Sequence, residues 1–97
     1  MTEVEATLQR ISGHKGVLGC IVLNADGIVL KTTCDSELTD LHASLIPQLA
    51  AMARNMVREL DPQNDLEFLR VRSHKQEVMV APSGDCVLIV IQEAKTS

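Results

Sequence analysis

Residues 38–60 have the sequence LTDLHASLIPQLAAMARNMVREL, and their apolar positions decide the fold. These positions recur every three or four residues, which is the period of an α-helix. Covering one face of a sheet takes one apolar stripe, so a second stripe predicts a second apolar neighbour. We favour another chain, docked on the second stripe, over a loop of the same chain. The two stripes are Leu38, Leu41, Leu45, Leu49, Met52 and Met56, and then Ile46, Ala50, Ala53, Val57 and Leu60.

Pro47 lies inside this helical pattern. A proline in a helix interior removes one backbone hydrogen bond and clashes with the preceding turn, at a cost of about 3 kcal/mol. The helix is therefore either kinked near residues 45–47 or loose in its first two turns. The unbroken apolar spacing favours the kink. Residues 61–64, Asp-Pro-Gln-Asn, then end the helix.

The rest of the chain has the composition of β-strands separated by turns. Asn-Ala-Asp-Gly at residues 24–27 and Pro-Ser-Gly-Asp at residues 82–85 are typical of tight turns. The first and last strands are apolar on both faces, which is typical of central strands, so we expect them to pair with each other. The five predicted strands are residues 17–23, 28–33, 66–72, 77–81 and 86–91.

A shorter helix is predicted at residues 3–12. Thr2 and Glu5 form a capping box, and Val4, Leu8 and Ile11 follow at helical spacing. The element order is therefore α-ββ-α-βββ, an α/β (α+β) fold. We expect one domain over residues 1–97, with a frayed tail at about residues 93–97.

The predicted edge strand at residues 66–72 is unusually apolar. An open sheet edge presents unpaired N–H and C=O groups, and soluble proteins usually protect it with charge or cover. This strand carries Leu66, Phe68, Leu69 and Val71 beside its charged residues. The pattern predicts that two copies of the chain pair edge to edge.

Composition excludes several classes of function. The net charge of −4 and the single aromatic residue disfavour binding to nucleic acid or to an anionic membrane. The longest apolar run is too short to span a bilayer, and the acidic first residues do not resemble a signal peptide. Three separated cysteines indicate a reducing compartment rather than a disulfide framework. We therefore expect a soluble, cytoplasmic protein.

No motif predicts a catalytic residue, a cofactor, a metal or a small-molecule ligand. Gly13-His-Lys-Gly16 lacks the preceding strand and the Gly-Lys-Ser/Thr order of a phosphate-binding loop. The histidines His14, His42 and His74 lack the spacing of metal ligands. We therefore expect a protein that acts by binding other proteins.

A basic cluster follows the helix. It consists of Arg70, Arg72, His74 and Lys75, with Arg54 and Arg58 late in the helix. The cluster indicates either a surface for an anionic partner or ordinary solvated charge. We favour solvated charge, because Glu67 and Glu77 lie close enough in sequence to neutralise it.

Longer stretches of the sequence resemble the roadblock-type dynein light chains. The agreement is collinear and ungapped, and it covers essentially the whole chain. Upstream it includes Glu3-Val-Glu5, His14-Lys-Gly-Val17 and Gly27-Ile28. Downstream it includes Asp61-Pro-Gln-Asn-Asp-Leu66, Phe68-Leu-Arg-Val-Arg-Ser73, Met79-Val-Ala-Pro82 and Leu88-Ile-Val-Ile-Gln92.

This resemblance implies a roadblock/longin-like fold, with helices on both faces of a five-stranded antiparallel sheet. It implies a homodimer, or a heterodimer with a paralogue, in which third strands pair into a continuous ten-stranded sheet and long helices pack together. It also implies a non-catalytic light chain that binds the dynein intermediate chain. Such a light chain would link the motor to cargo in microtubule-based transport, in the cytoplasm and cytoskeleton.

Particular residues acquire expected roles from the resemblance. Pro47, Ser83-Gly84 and Cys86-Val87 depart from the family pattern, which indicates a diverged or paralogous member. For partner binding we expect Leu38, Leu41, His42 and Arg54. For the dimer interface we expect Leu66, Phe68, Leu69, Arg70, Val71 and Arg72, together with Leu45, Leu49, Met52 and Met56.

Two alternative functions come from other classes. Related domains of the same superfamily serve as scaffolds or activating partners of small GTPases, so a dimeric regulator of a GTPase is the first alternative. The second is a redox sensor that uses Cys34, which lies near a predicted loop. A sensor of this kind requires a lowered thiol pKa.

Overall fold

The computed structural model describes residues 6, 10, 13 and 15–94. Within these residues the strands form one antiparallel sheet in the order β2-β1-β5-β4-β3. The predicted arrangement, with the two most apolar strands paired and β2 and β3 at the edges, is confirmed. The elements are β1 (Val17–Asn24), β2 (Val29–Thr32), α1 (Ser36–Leu60), β3 (Leu69–Arg72), β4 (Gln76–Ser83) and β5 (Cys86–Glu93).

The two ends of the chain are described only in part. The helix predicted at residues 3–12 lies outside the described residues except for Ala6 and Arg10, which have helical backbone. Residues 95–97 of the predicted frayed tail also lie outside them. At the start of that tail, the N–H groups of Glu93 and Ala94 donate to the carbonyl oxygens of Gly16 and Lys75 at 2.9 and 3.3 Å.

α1 begins at Ser36, slightly earlier than predicted, because Asp35 caps it. The Asp35 carboxylate accepts a hydrogen bond from the backbone N–H of Leu38 at 2.8 Å, which satisfies one of the unpaired donors of the first turn. The helix continues through Pro47 to Leu60, so the turns before the proline are helical rather than loose.

α1 packs on one face of the sheet through its second apolar stripe. Ile46 is only 7% exposed and belongs to a core cluster, and Ala50 packs against that cluster. The assignment of the second stripe to another chain is therefore wrong at Ile46 and Ala50. In the first stripe, Leu38 packs against the core, whereas the residues from Leu41 to Met56 are exposed. Small residues such as Ala50 let the helix approach the strands closely. The sheet residues of this cluster are Ile21, Leu23, Val80, Ile89 and Ile91.

The opposite face of the sheet is also buried at its centre. Cys20, Val22 and Val90 form a second core cluster there, because successive side chains of a strand point to opposite faces. Burial on both faces explains why β1 and β5 are almost continuously apolar.

β3 is shorter than predicted and begins at Leu69 rather than Leu66. In the observed register, Leu69 pairs with Val80, so residue 67 would oppose Pro82. Proline has no N–H to donate to the ladder. The pairing therefore stops before Pro82, and residues 66–68 continue as irregular backbone.

The predicted turn between β1 and β2 is confirmed. The Asn24 side-chain oxygen accepts hydrogen bonds from the backbone N–H groups of Asp26 and Ile28, both at 2.9 Å. Gly27 has a φ of 82°, which a residue with a side chain rarely adopts. The turn between β4 and β5 is tighter than predicted, because Ser83 already pairs with Cys86 and only Gly84 and Asp85 remain between them.

Gly19 in β1 lies against Cys34, which precedes α1. A Cβ atom at Gly19 would overlap Cys34 Sγ. We expect Gly19→Ala to lower the free energy of unfolding by about 1–3 kcal/mol, the usual cost of overpacking. In chemical denaturation, the double variant Gly19→Ala/Cys34→Ala should recover most of this loss, since it removes the overlapping sulfur. A double variant as unstable as the single one would contradict the steric explanation.

Candidate protein-interaction surface

α1 presents a row of apolar side chains to solvent. We call Leu41, Leu45, Leu49, Met52 and Met56 the α1 stripe. Their exposed fractions range from 37% to 71%. Isolated apolar residues are common on protein surfaces, but a contiguous apolar row along one helix is typical of an interaction site. The two methionines give one end of the stripe flexible side chains that adapt to different partners.

Two side chains of the edge strand β3 point to the face of the sheet that α1 covers. Leu69 and Val71 pair with Val80 and Val78, whose side chains contact the core beneath α1. Leu69 packs against this core, whereas Val71 remains 41% exposed. β4 pairs with β3 on one side only, so the other edge of β3 has no strand beside it among the described residues.

An ion pair fastens the segment before β3 to α1. Arg54 donates from Nε to Asp65 Oδ1 at 2.8 Å and from Nη2 to Asp65 Oδ2 at 3.1 Å. A hydrogen bond from the backbone N–H of Leu66, followed by the Arg54 guanidinium, holds the pKa of Asp65 below its ordinary value. This bidentate contact sets where the chain enters β3, so Arg54 has a structural partner within its own chain.

Protonation of Asp65 should weaken this attachment. Because its pKa is lowered in the folded chain, its contribution to stability is present above the unfolded value of about 3.8 and is lost as pH falls below that value. We expect Asp65→Asn to lose stability at pH 7 and to show a smaller further loss at pH 3 than the wild type. Denaturation at both pH values measures this. Asp85→Asn, which removes the same charge from an exposed turn, is the control for the change in net charge.

The residues predicted to bind a partner do not form one exposed group. Leu41 is exposed in the α1 stripe, but Leu38 packs against the core beneath the helix. His42 is half-buried, and its Nδ1 lies 2.9 Å from the carbonyl oxygen of Leu38. Arg54 is held by Asp65. Of these four residues, Leu41 is therefore the best placed for contact with another protein.

The predicted basic cluster divides between two places. Arg70 and Arg72 lie on the sheet face away from α1, because they pair with Met79 and Glu77. His74 and Lys75 are exposed in the β3–β4 turn. Glu77 is buried in the sheet, where its Oε1 accepts a hydrogen bond from Gln92 Nε2 at 2.6 Å and lies 3.6 Å from Arg70 Nε. Sequence proximity alone did not reveal that this carboxylate is enclosed.

Among the described residues, no three His, Cys, Asp or Glu side chains lie close enough together to bind a metal ion. Cys20 is buried, and Cys34 and Cys86 are half-buried. None of the helices in this part of the chain combines the length and apolarity needed to cross a bilayer.

Comparison with known proteins places the fold in a family. Residues 3–93 match the family model of the Roadblock/LC7 domain. A Roadblock/LC7 domain from Streptomyces avermitilis superimposes with a TM-score of 0.77 at 19% identity, covering 92% of this chain and 73% of that one. Myxococcus xanthus MglB gives a TM-score of 0.76 at 22% identity, covering 100% of this chain and 80% of that one.

The third similar structure is also of an MglB protein. MglB with a tetrameric arrangement gives a TM-score of 0.78 at 13% identity, covering 95% of this chain and 71% of that one. Identities this low carry the fold and not the partners. The family model spans nearly the whole chain, so this protein belongs to the Roadblock/LC7 domain family.

Proposed function

We propose that this chain is a non-catalytic adaptor that acts as a dimer and holds a protein partner. The observations that carry the proposal are the α1 stripe, which is an exposed apolar row, and the edge of β3, which has no neighbouring strand among the described residues. Both features are unfavourable for an isolated monomer, and a second copy covers both at once. We further propose that residues 1–97 act as one domain.

The dimer interface that we propose has two parts. The β3 edges pair, so that Leu69, Arg70, Val71 and Arg72 take part through their backbone groups, with Leu66 and Phe68 at the end of the strand. The α1 stripes pack against each other over Leu45, Leu49, Met52 and Met56. Val71 has an exposed side chain in position to contribute to both parts.

A small GTPase is the partner that fits the comparisons better. Two of the three similar structures come from the bacteria Streptomyces avermitilis and Myxococcus xanthus, and none of the three is named as a dynein subunit. Domains of this superfamily serve as scaffolds or activating partners of small GTPases. A dimer can serve as such a scaffold without a catalytic residue of its own.

The dynein intermediate chain is the second candidate partner. It is favoured by the collinear resemblance of this sequence to roadblock-type dynein light chains, above all over residues 61–66 and 68–73. This candidate carries with it a location on microtubules in the cytoplasm and a role in linking the motor to cargo. A partner of this kind would be an extended or helical segment rather than a folded domain.

One binding experiment separates the two candidates. The full chain is immobilised, and two analytes are applied at equal concentration: the dynein intermediate chain, and a panel of small GTPases loaded with GDP or with a non-hydrolysable GTP analogue. Saturable binding of a GTPase with a preference for one nucleotide supports the first candidate. Saturable binding of the intermediate chain supports the second.

A separate measurement tests the dimer. Sedimentation equilibrium of the chain at micromolar concentration should give twice the monomer mass of 10.6 kDa. A monomer mass would contradict the proposed adaptor, and so would a dimer that binds neither the intermediate chain nor any GTPase.

A further inference from the structure

A cavity of about 410 Å³ lies between one flank of α1 and two turns at the same end of the sheet. The β1–β2 turn and the β4–β5 turn are adjacent there, because Asn24 pairs with Cys86 in the ladder between β1 and β5. α1 contributes Pro47, Ala50 and Ala51, which recur at the helical spacing of three or four residues. The volume lies within the usual range of ligand pockets in proteins, which is about 300–1,000 Å³.

The lining of the cavity is mainly apolar. Leu23 lines it and is only 1% exposed, and Val87 lines it and packs against the core cluster beneath α1. Ala50 and Ala51 carry only a methyl group, so α1 leaves open the space that longer side chains would occupy. An apolar group that enters this space is removed from water, which is the main favourable contribution to most protein associations.

Hydrogen bonds within the chain fix two walls of the cavity. On one side, two backbone N–H groups of the β1–β2 turn donate to Asn24 Oδ1. On another side, the ion pair between Arg54 and Asp65 holds the segment that carries Leu66, a further lining residue. A cavity whose walls are already ordered loses less conformational entropy when it binds a partner.

The charge at the opening of the cavity is negative. Asp85 lines the cavity, and Asp26 is exposed in the β1–β2 turn, next to a lining residue, Gly27. In the part of the chain that the structure describes, neither of these carboxylates takes part in a hydrogen bond or an ion pair. Arg54 also lines the cavity, but its ion pair with Asp65 neutralises its charge. The two carboxylates therefore favour a partner with positive charge.

We propose that this cavity binds a segment of a partner protein in which one large apolar side chain is flanked by basic residues. The apolar side chain enters the cavity, and the basic side chains lie beside Asp26 and Asp85. This inference rests on the proposed function in one respect, namely that the chain holds a protein partner. The cavity is contained in a single chain, so binding does not require the dimer.

The cavity and the α1 stripe use different faces of α1. The five residues of the α1 stripe do not line the cavity. Of the residues that we propose for the dimer interface, Leu66 is the one that does. A dimer that forms through the α1 stripe therefore keeps one cavity in each copy, and the two kinds of contact can be tested separately.

Three pentapeptides test the chemistry of the partner segment. The probe has leucine at its centre, lysine on each side of the leucine and glycine at both ends. The second peptide has glycine in place of leucine, and the third has glutamate in place of both lysines. Binding to the isotope-labelled full chain is followed by the NMR shifts of its backbone amides. We expect saturable binding of the probe alone, with the largest shifts at residues 24–27, 50–55 and 84–87.

Ala51→Phe tests the apolar part of the site. Ala51 is exposed on α1 and lines the cavity, so the larger side chain narrows the cavity without disturbing the core. Binding of the probe should weaken about tenfold or more, because its leucine is no longer buried. Ser44→Phe is the matched control, since Ser44 is exposed two turns earlier on the same side of α1. This control should change the affinity less than about twofold.

Asp85→Asn tests the charged part of the site. It should weaken binding of the probe about two- to fivefold, which is the effect of losing one exposed ion pair. Glu37→Gln removes the same charge from the first turn of α1, about 15 Å along the helix from Pro47. Salt screens charges at this distance, so the control should keep the affinity of the wild type.

Several results would overturn the proposal. Equal binding of the glycine-centred peptide would mean that charge alone attracts the probe. An Ala51→Phe variant that binds as tightly as the wild type would place the site elsewhere. Binding of hexylamine, but of none of the peptides, would make the cavity a small-molecule site. Sedimentation of the same samples separates this proposal from the dimer, because a dimeric wild type that binds no probe contradicts the cavity alone, and a monomeric wild type that binds it contradicts the dimer alone.

Discussion

Leu45→Glu is expected to convert the dimer into a folded monomer. Leu45 belongs to the α1 stripe, and its side chain is 60% exposed in the single chain. A glutamate at this position therefore remains solvated in the monomer and does not disturb the core. In the proposed dimer the same carboxylate enters an apolar interface, and both copies carry it.

The size of this effect follows from the cost of burying charge. An unpaired carboxylate in apolar surroundings costs several kcal/mol. Two copies of the substitution should weaken dimerisation at least about a hundredfold, which corresponds to ~2.7 kcal/mol. Sedimentation at micromolar concentration should then give the monomer mass. Circular dichroism should still show the helical signal of α1.

Gln48→Glu is the matched control for this prediction. It adds the same charge three residues further along α1, at an exposed polar position outside the α1 stripe. Its Nε2 donates to the Ser44 carbonyl oxygen of the same helix, at 2.9 Å. Gln48→Glu should remain dimeric. A dimeric Leu45→Glu variant would place the interface elsewhere, and an equal loss in both variants would indicate a general charge effect.

The choice of Leu45 rather than Leu69 follows from the structure. Leu69 lies in the proposed edge pairing, but it also packs against the core beneath α1. A charge at Leu69 would therefore disturb the fold and the interface together. A residue that is exposed in the single chain separates the effect on the interface from the effect on the fold. The sequence alone does not report which residues are exposed.

The sheet order was predictable because two strands have no polar face. An apolar strand gains stability only when both of its faces are covered, so residues 17–23 and 86–91 belong at the centre. The helix was predictable from its period, and its end from residues 61–64. These features depend on local composition and on burial, which sequence patterns record directly.

Other features depend on which neighbour a residue meets, and the sequence does not record that. Two apolar stripes were visible, but the period cannot show which one faces the sheet. Ile46 and the small Ala50 decide this, since the helix approaches the strands where its side chains interlock with them. The prediction that β3 begins at residue 66 was wrong for a similar reason, because Pro82 on the neighbouring strand ends the pairing.

The sequence indicated which residues belong to the candidate site, but it did not indicate how they are arranged on the surface. Leu45, Leu49, Met52 and Met56 were expected at an interface from the family resemblance, and they are exposed together on α1. The burial of Glu77 and the attachment of Arg54 to Asp65 were not visible, because each depends on residues distant in sequence. Side-chain partners across the sheet decide which charges remain available.

Ile46→Ala is expected to have the largest effect on stability. Ile46 is the one apolar side chain of α1 that is buried in the described core, and it lies among Ile21, Ile89 and neighbouring residues. Truncation of a buried isoleucine to alanine usually costs about 2–5 kcal/mol, because the lost methyl groups leave a cavity. A domain of this size has a total stability of about 5–15 kcal/mol. The variant should therefore unfold at a much lower denaturant concentration.

Leu45→Ala is the matched control, because Leu45 lies in the same helix as Ile46 and has a side chain of the same size. Leu45 is the neighbour of Ile46 in sequence and points away from the sheet. Its truncation should weaken the dimer and leave the stability of the monomer nearly unchanged. Dimerisation stabilises the folded chain by mass action, so the measurements are made at several protein concentrations. The loss from Ile46→Ala should persist at the lowest concentration, whereas the loss from Leu45→Ala should disappear there. The opposite pattern would mean that α1 presents its other face to the sheet.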